Sequence, residues 1–342
     1  MKKDNPFALG EPLMVQNARA MHPGYKWWVE ILIGLLVAFI GFSAEAVILM
    51  IPLMIGMTET DTYQQMLSDV EMGTYDYDLY VEDAYAIYAE LPVWTYIVIL
   101  FSTAALIVTV LVYCTQFERR KLHTLGLTKH KSFSEYGIGL VVGLVMFTLT
   151  YGLMLLFGGI TIDGVTWSAD MILTLLLLFL GYVVQGASEE ILFRGYFTVS
   201  MARKTPLWVS VIVSSLFFAA AHLTNGGVTV VAFINLFLFG VFLCVYTIRR
   251  GNLWGACAIH SMWNFAQGNI FGCVVSGTNA GDSIIQTSQV ADAVLWNGED
   301  FGPEASLCVT FVLIVAIVIM LVCTENKDAG QTRWEKEPEI VG

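Results

Sequence analysis

Eight apolar runs divide this chain, and most approach the roughly 20 residues a helix needs to cross a bilayer. They fall at about 27–55, 92–115, 136–157, 171–186, 207–221, 228–248, 253–275 and 305–323. Only 13% of the residues are charged, against about 25% in a soluble domain. The chain therefore reads as an all-α, polytopic membrane protein of about eight transmembrane helices. The expected organisation is a tail over 1–26, an eight-helix membrane domain over 27–323 and a second tail over 324–342.

Charge orients the spans. All 17 Lys and Arg residues fall in the tails or in alternate connections, among them Arg119, Arg120, Lys121, Arg194, Arg203, Lys204, Arg249 and Arg250. The segment 58–91 has none, yet carries nine Asp and Glu residues, from Glu59 to Glu90. The positive-inside rule puts both termini in the cytoplasm and makes 58–91 an external acidic loop, read as a solvated cap. Ala44-Glu45-Ala46 has the look of a signal cleavage site. The long polar leader and the apolar residues continuing to Ile55 make an uncleaved first span the better reading. Gly139-x-x-x-Gly143 permits close helix approach. Six cysteines without a C-x-x-C pair read as packing residues. With a net charge of -12, no nucleic-acid partner is expected.

The chemistry concentrates at Gly186-Ala-Ser-Glu-Glu-Ile-Leu-Phe-Arg-Gly195, at the end of the fourth run. An ionisable side chain in a span is costly and rare unless paired or functional. Glu190 and Arg194 are four apart, acid first, which suits an ion pair on a helix. Glu189 lies on the face of Gln185 and Phe193 with no cation at either spacing. His222 ends the fifth run in Phe218-Ala-Ala-Ala-His222, and His260 has Asn264 one turn later. Together these residues supply a carboxylate base, two imidazoles and a neutral amide donor, the set that hydrolysis needs. A lone membrane histidine is more often a packing hydrogen bonder; three such segments are harder to set aside.

In this order, Glu189-Glu190-x-x-x-Arg194, Phe218-x-x-x-His222 and His260-x-x-x-Asn264 resemble the CPBP (Abi) family of intramembrane endopeptidases, which includes the type II CAAX prenyl endopeptidases. The resemblance covers about 118–271 and includes Glu118-Arg119 and Leu125-Gly-Leu127. It implies a catalytic chamber open toward the cytoplasmic side and a membrane-associated protein or peptide substrate. It implies that Glu189 activates water with help from His222, that His260 and Asn264 hold the scissile carbonyl, and that Glu190 with Arg194 shapes the site. It also implies a bacterial membrane, where a prenyl-CAAX protein is not the expected natural substrate. No cofactor is favoured; in the zinc-dependent alternative the ligands would be His222, His260 and Glu189. No His-Glu-x-x-His occurs in the chain.

Two other classes compete. A proton-coupled transporter would also place acids and histidines at mid-membrane, with Glu45 as a relay. A non-catalytic scaffold or bacteriocin-immunity protein would use the same helices only to bind. One expectation is awkward: with the fourth span ending near Gly186, His222 should lie deeper in the membrane than Glu189.

Overall fold

The computed structural model describes residues 9–129 and 131–324. Lys2, Lys3 and residues 325–342, read above as cytoplasmic tails, lie outside the described residues. In chain order the principal helices are α1 (Leu13–Met21), α2 (Trp27–Thr58), α3 (Asp61–Met72), α4 (Tyr80–Ala89), α5 (Val93–Phe117), α6 (Ser132–Leu156), α7 (Met171–Ala202), α8 (Leu207–Ala221), α9 (Val230–Arg250), α10 (Trp254–Phe265) and α11 (Leu307–Cys323). Five of them, α2, α5, α6, α7 and α9, are long and apolar enough to cross a membrane. The shorter α8 and α11 are also apolar. At about 1.5 Å per residue, α8 rises only about 22 Å, less than a hydrocarbon core of about 30 Å. All eight apolar runs are thus helical, but not all are full spans by length.

Three sequence expectations change. The fourth run does not stop near Gly186: α7 continues to Ala202, passing through wide π turns at Ile191–Thr198. The Glu190–Arg194 pair that its spacing suits is buried inside the protein, so nothing terminates the helix there. The seventh run is helical only through Ile270, where a π turn, Ala266–Ile270, ends it. Gly272 then takes a left-handed φ of +65°, a common way for a chain to leave a helix. Finally, the protein is not wholly α. β1 (Ile160–Val165) pairs antiparallel with β2 (Ile285–Gln289), joining two of the loops that lack basic residues. The segment 58–91 also gains order, with Thr60 capping α3 and Glu90 accepting from the Thr62 hydroxyl.

Close backbone approach holds the middle of the bundle. Gly139 and Gly143 on α6 face Gly255, Ala258 and Ile259 on α10, and a Cβ at Gly143 would sit 2.6 Å from the Ile259 carbonyl oxygen. Gly186 on α7 faces Ser261 of α10 in the same way, with 2.8 Å to its hydroxyl. The glycine pair on α6 therefore packs helices, as its spacing suggests. α7 and α10 are drawn together at the level of the acidic pair, which brings distant motifs side by side. By contrast, α2 leaves Phe39, Val47 and Ile51 exposed, a surface that suits lipid rather than water.

At the Ala202 end of α7 the basic residues are not merely topological markers. Arg203 reaches Glu30 of α2 at 3.1 Å and Glu118 at 2.6 Å, and Glu118 also pairs with Arg120 at 2.7 Å. All four side chains are buried. α1 packs Met14, Val15 and Ala18 against Val199 and Ala202 of α7, so residues 13–21 of the expected tail belong to the folded body.

Candidate active site

Helices α7, α8 and α10 bring all six candidate residues into one cluster. Glu189, Glu190 and Arg194 lie on α7, His222 caps the C-terminus of α8, and His260 and Asn264 lie on α10. The depth conflict disappears because Glu189 is not at a helix end. It stands eighteen residues after Met171 and thirteen before Ala202, so antiparallel α8 needs its full fifteen residues to climb back beside it.

The two acids occupy different environments. Glu190 is fully buried, and its Oε1 accepts from Arg194 Nη1 at 2.8 Å and from His260 Nδ1 at 2.8 Å. The Arg194 guanidinium lies over the Phe218 ring at 4.2 Å, a cation–π contact that adds to the carboxylate in holding the charge out of water. Glu189 keeps 17% of its side-chain surface and His222 keeps 14%, against 1% for Arg194. Glu189 and His222 therefore form the accessible side of the cluster, and the Glu190–Arg194 pair its support.

Glu189 Oε1 accepts from Gln185 Nε2 at 2.6 Å, and Gln185 Oε1 accepts from Asn264 Nδ2 at 3.0 Å. This chain fixes the carboxylate so that Oε2 turns toward the imidazoles. His260 Nε2 is 3.7 Å from it and His222 Nε2 is 4.0 Å. Oε2 itself is buried and accepts no hydrogen bond.

The partners fix the tautomers. His222 Nδ1 is 2.9 Å from the Phe218 carbonyl, which only accepts, so Nδ1 carries the hydrogen. The same reasoning gives His260 a protonated Nδ1 facing Glu190. In their neutral forms both rings thus present a bare Nε2 toward Glu189. Such outer partners are what orient a working imidazole. His260 is further held edge-to-face by Phe239, centroids 5.3 Å apart.

The zinc alternative can be tested against this geometry. Two bare Nε2 atoms and a carboxylate oxygen are the right donor types. Among the described residues, however, no group of three or more His, Cys, Asp or Glu side chains is gathered closely enough to hold a metal ion.

Sequence reasoning missed two participants. Gln185 shares the face of Glu189 at i−4, a spacing that invites a hydrogen bond, but no role was assigned to it. Phe218 was read only as the start of a motif, whereas its ring carries Arg194 and its carbonyl sets His222. Arg194, counted with the cytoplasmic basic residues, sits inside the helix as part of the cluster.

No curated protein and no solved structure matches the chain. Residues 171–266, from the first turn of α7 to just beyond α10, match the family described as type II CAAX prenyl endopeptidase, Rce1-like. All six clustered residues fall within that stretch, while α2, the acidic segment and α11 fall outside it. The chain therefore carries, over residues 171–266, an Rce1-like domain of the type II CAAX prenyl endopeptidase family, a family of proteases.

Proposed function

We propose that this protein is an intramembrane endopeptidase of about eight spans that cleaves a membrane-associated protein or peptide near the cytoplasmic face, with Glu189 as general base. The observation that carries this reading is the convergence of three groups: Glu189 Oε2, with His260 Nε2 at 3.7 Å and His222 Nε2 at 4.0 Å. The distribution of Lys and Arg supports cytoplasmic termini.

Glu189 Oε2 takes a proton from water as the water oxygen attacks the scissile carbonyl carbon. His222, with its hydrogen on Nδ1, accepts the water's other hydrogen at Nε2 and aims the lone pair. Asn264 donates one amide hydrogen to Gln185 and keeps the second for the developing oxyanion. His260, its ring held by Glu190 at Nδ1, donates to the scissile carbonyl oxygen when Nε2 carries a proton. Arg194 keeps Glu190 in place for that task. The intermediate collapses when protonated Glu189 returns its proton to the leaving amine.

The test begins with natural substrates: peptides released from membranes of cells bearing the wild-type protein and absent with Glu189→Gln define the cleavage sites. With a peptide from such a site in proteoliposomes, Asn264→Ala should lower kcat by about 10²–10³-fold and change KM little, as for loss of other oxyanion donors. A change confined to KM would give Asn264 a binding role only.

The metal question has its own measurement. Active enzyme washed with chelator should contain far less than one equivalent of zinc and keep its turnover. Stoichiometric zinc that leaves with activity and restores it on return would recast His222, His260 and Glu189 as ligands.

A further inference from the structure

α2 is apolar from Ile31 to Thr58 with one exception. Glu45 is the only ionisable residue between Glu30 and Glu59, and it stands near the middle of the helix. A carboxylate so placed marks a functional site by default, and the question is what it faces. It does not face lipid alone. Glu45 lines a cavity of about 280 Å³ between α2, α5 and α7, walled by Phe42, Ala46, Leu49 and Leu106 with the hydroxyl residues Thr103 and Ser188. The other carboxylate lining that cavity is Glu189.

The chemistry of this space is unusual for its size. No Lys, Arg or His lines it, and Glu45 forms no ion pair among the described residues. Its carboxylate lies beside Ser102 and within electrostatic reach of Glu189. Two carboxyl groups in largely apolar walls, with no basic side chain beside them, form a space that an entering cation would complement. The volume falls just below the ~300–1,000 Å³ of small-molecule sites, enough for one long side chain and too little for a folded segment. Lysine and arginine have the complementary form, an apolar stem with a charged head.

We propose that this cavity receives a lysine or arginine side chain of the substrate, next to the scissile bond, and that Glu45 is the specificity-determining residue that selects it. The inference rests on the endopeptidase reading and adds the substrate class. Because α2 lies outside the matched residues 171–266, this selection belongs to the first span of this chain and not to the hydrolytic set.

The experiment uses the full chain in membranes and reads the released peptides of wild type, Glu45→Gln, Glu45→Lys and Glu189→Gln. Wild-type cleavage sites should show Lys or Arg enriched at one fixed position relative to the cut. Glu45→Gln should erase that enrichment and lower kcat/KM for a lysine-bearing peptide by about tenfold or more, mainly through KM. For a matched peptide with Gln in place of Lys, wild type and Glu45→Gln should differ little. Glu45→Lys should shift the enrichment to Asp or Glu, which no structural role of Glu45 would produce. If Glu45→Lys does not accumulate, the isosteric Glu45→Gln decides alone. Cleavage that needs Glu189 but shows no basic preference would overturn the inference and leave the protease. A uniform fall in kcat on every peptide, with preferences intact, would make Glu45 a proton relay and overturn it equally. Absence of any cleavage that depends on Glu189 would remove the endopeptidase reading itself.

Discussion

Glu189→Gln should lower peptide-bond hydrolysis by about 10²–10⁴-fold, the range a general base contributes, while leaving the melting temperature in detergent close to that of wild type. The two halves of this expectation come from the two oxygens of one carboxylate. Oε1 accepts from Gln185 Nε2, and the carbonyl oxygen of a glutamine can accept there as well, so the chain through Gln185 to Asn264 survives. Oε2 has no hydrogen-bond partner to lose, and an amide nitrogen in its place cannot take a proton from water. Turnover should therefore fall without loss of fold. Turnover measured in proteoliposomes, beside a melting curve, checks both halves. Near-normal turnover would remove Glu189 from the mechanism. A cellular phenotype that persists without turnover would favour a binding role, and proton flux coupled to a solute would favour a transporter.

Arg194→Ala should be the most destabilising single change in the cluster, by about 3–5 kcal/mol, the cost of stranding one partner of a buried pair. Glu190 and Arg194 have 0% and 1% exposed side chains, so water cannot replace the lost cation. The Phe218 ring would also lose the charge above it. The pair need not add net stability: buried ions pay for their attraction with desolvation, and apolar replacement of both partners is often neutral. Glu190→Leu with Arg194→Met should accordingly recover much of the melting temperature. It should not recover turnover, because His260 Nδ1 would have no carboxylate to orient its ring. Separate recovery of stability and activity would identify the pair as a positioning device. An unchanged melting temperature for Arg194→Ala would mean the pair is wet.

The clustered candidate residues were legible because each motif is local. Glu190 with Arg194, Phe218 with His222, and His260 with Asn264 are i,i+4 pairs, and helical geometry alone places each pair on one face. Helix positions followed from apolar runs for the same reason. What stayed hidden depends on contacts between distant parts of the chain. Arg203 looks like a cytoplasmic marker until Glu30, remote in sequence, is folded against it. The strands β1 and β2 are six and five residues long and sit in polar loops containing Asp163 and Gly164, too short for alternation to stand out. Glu45 was visible as an odd acid in a span, but only the packing of α2 beside α7 shows that it shares a cavity with Glu189.

The wide turns at Ile191–Thr198 have a consequence for how this chain tolerates changes in length. A π turn closes its hydrogen bond one residue later than an α turn, so this stretch advances the helical phase of everything beyond it. Upstream stands Glu190, facing His260; downstream stands Arg203, facing Glu30 and Glu118. Loss of one residue between them would rotate one group by about 100° relative to the other. Either the imidazole or the buried ion-pair node would then lose its partner. Insertions and deletions in 191–198 should thus be far less tolerated than substitutions of like size, because the segment acts as a phase coupler between the candidate site and the ion-pair anchor of α2.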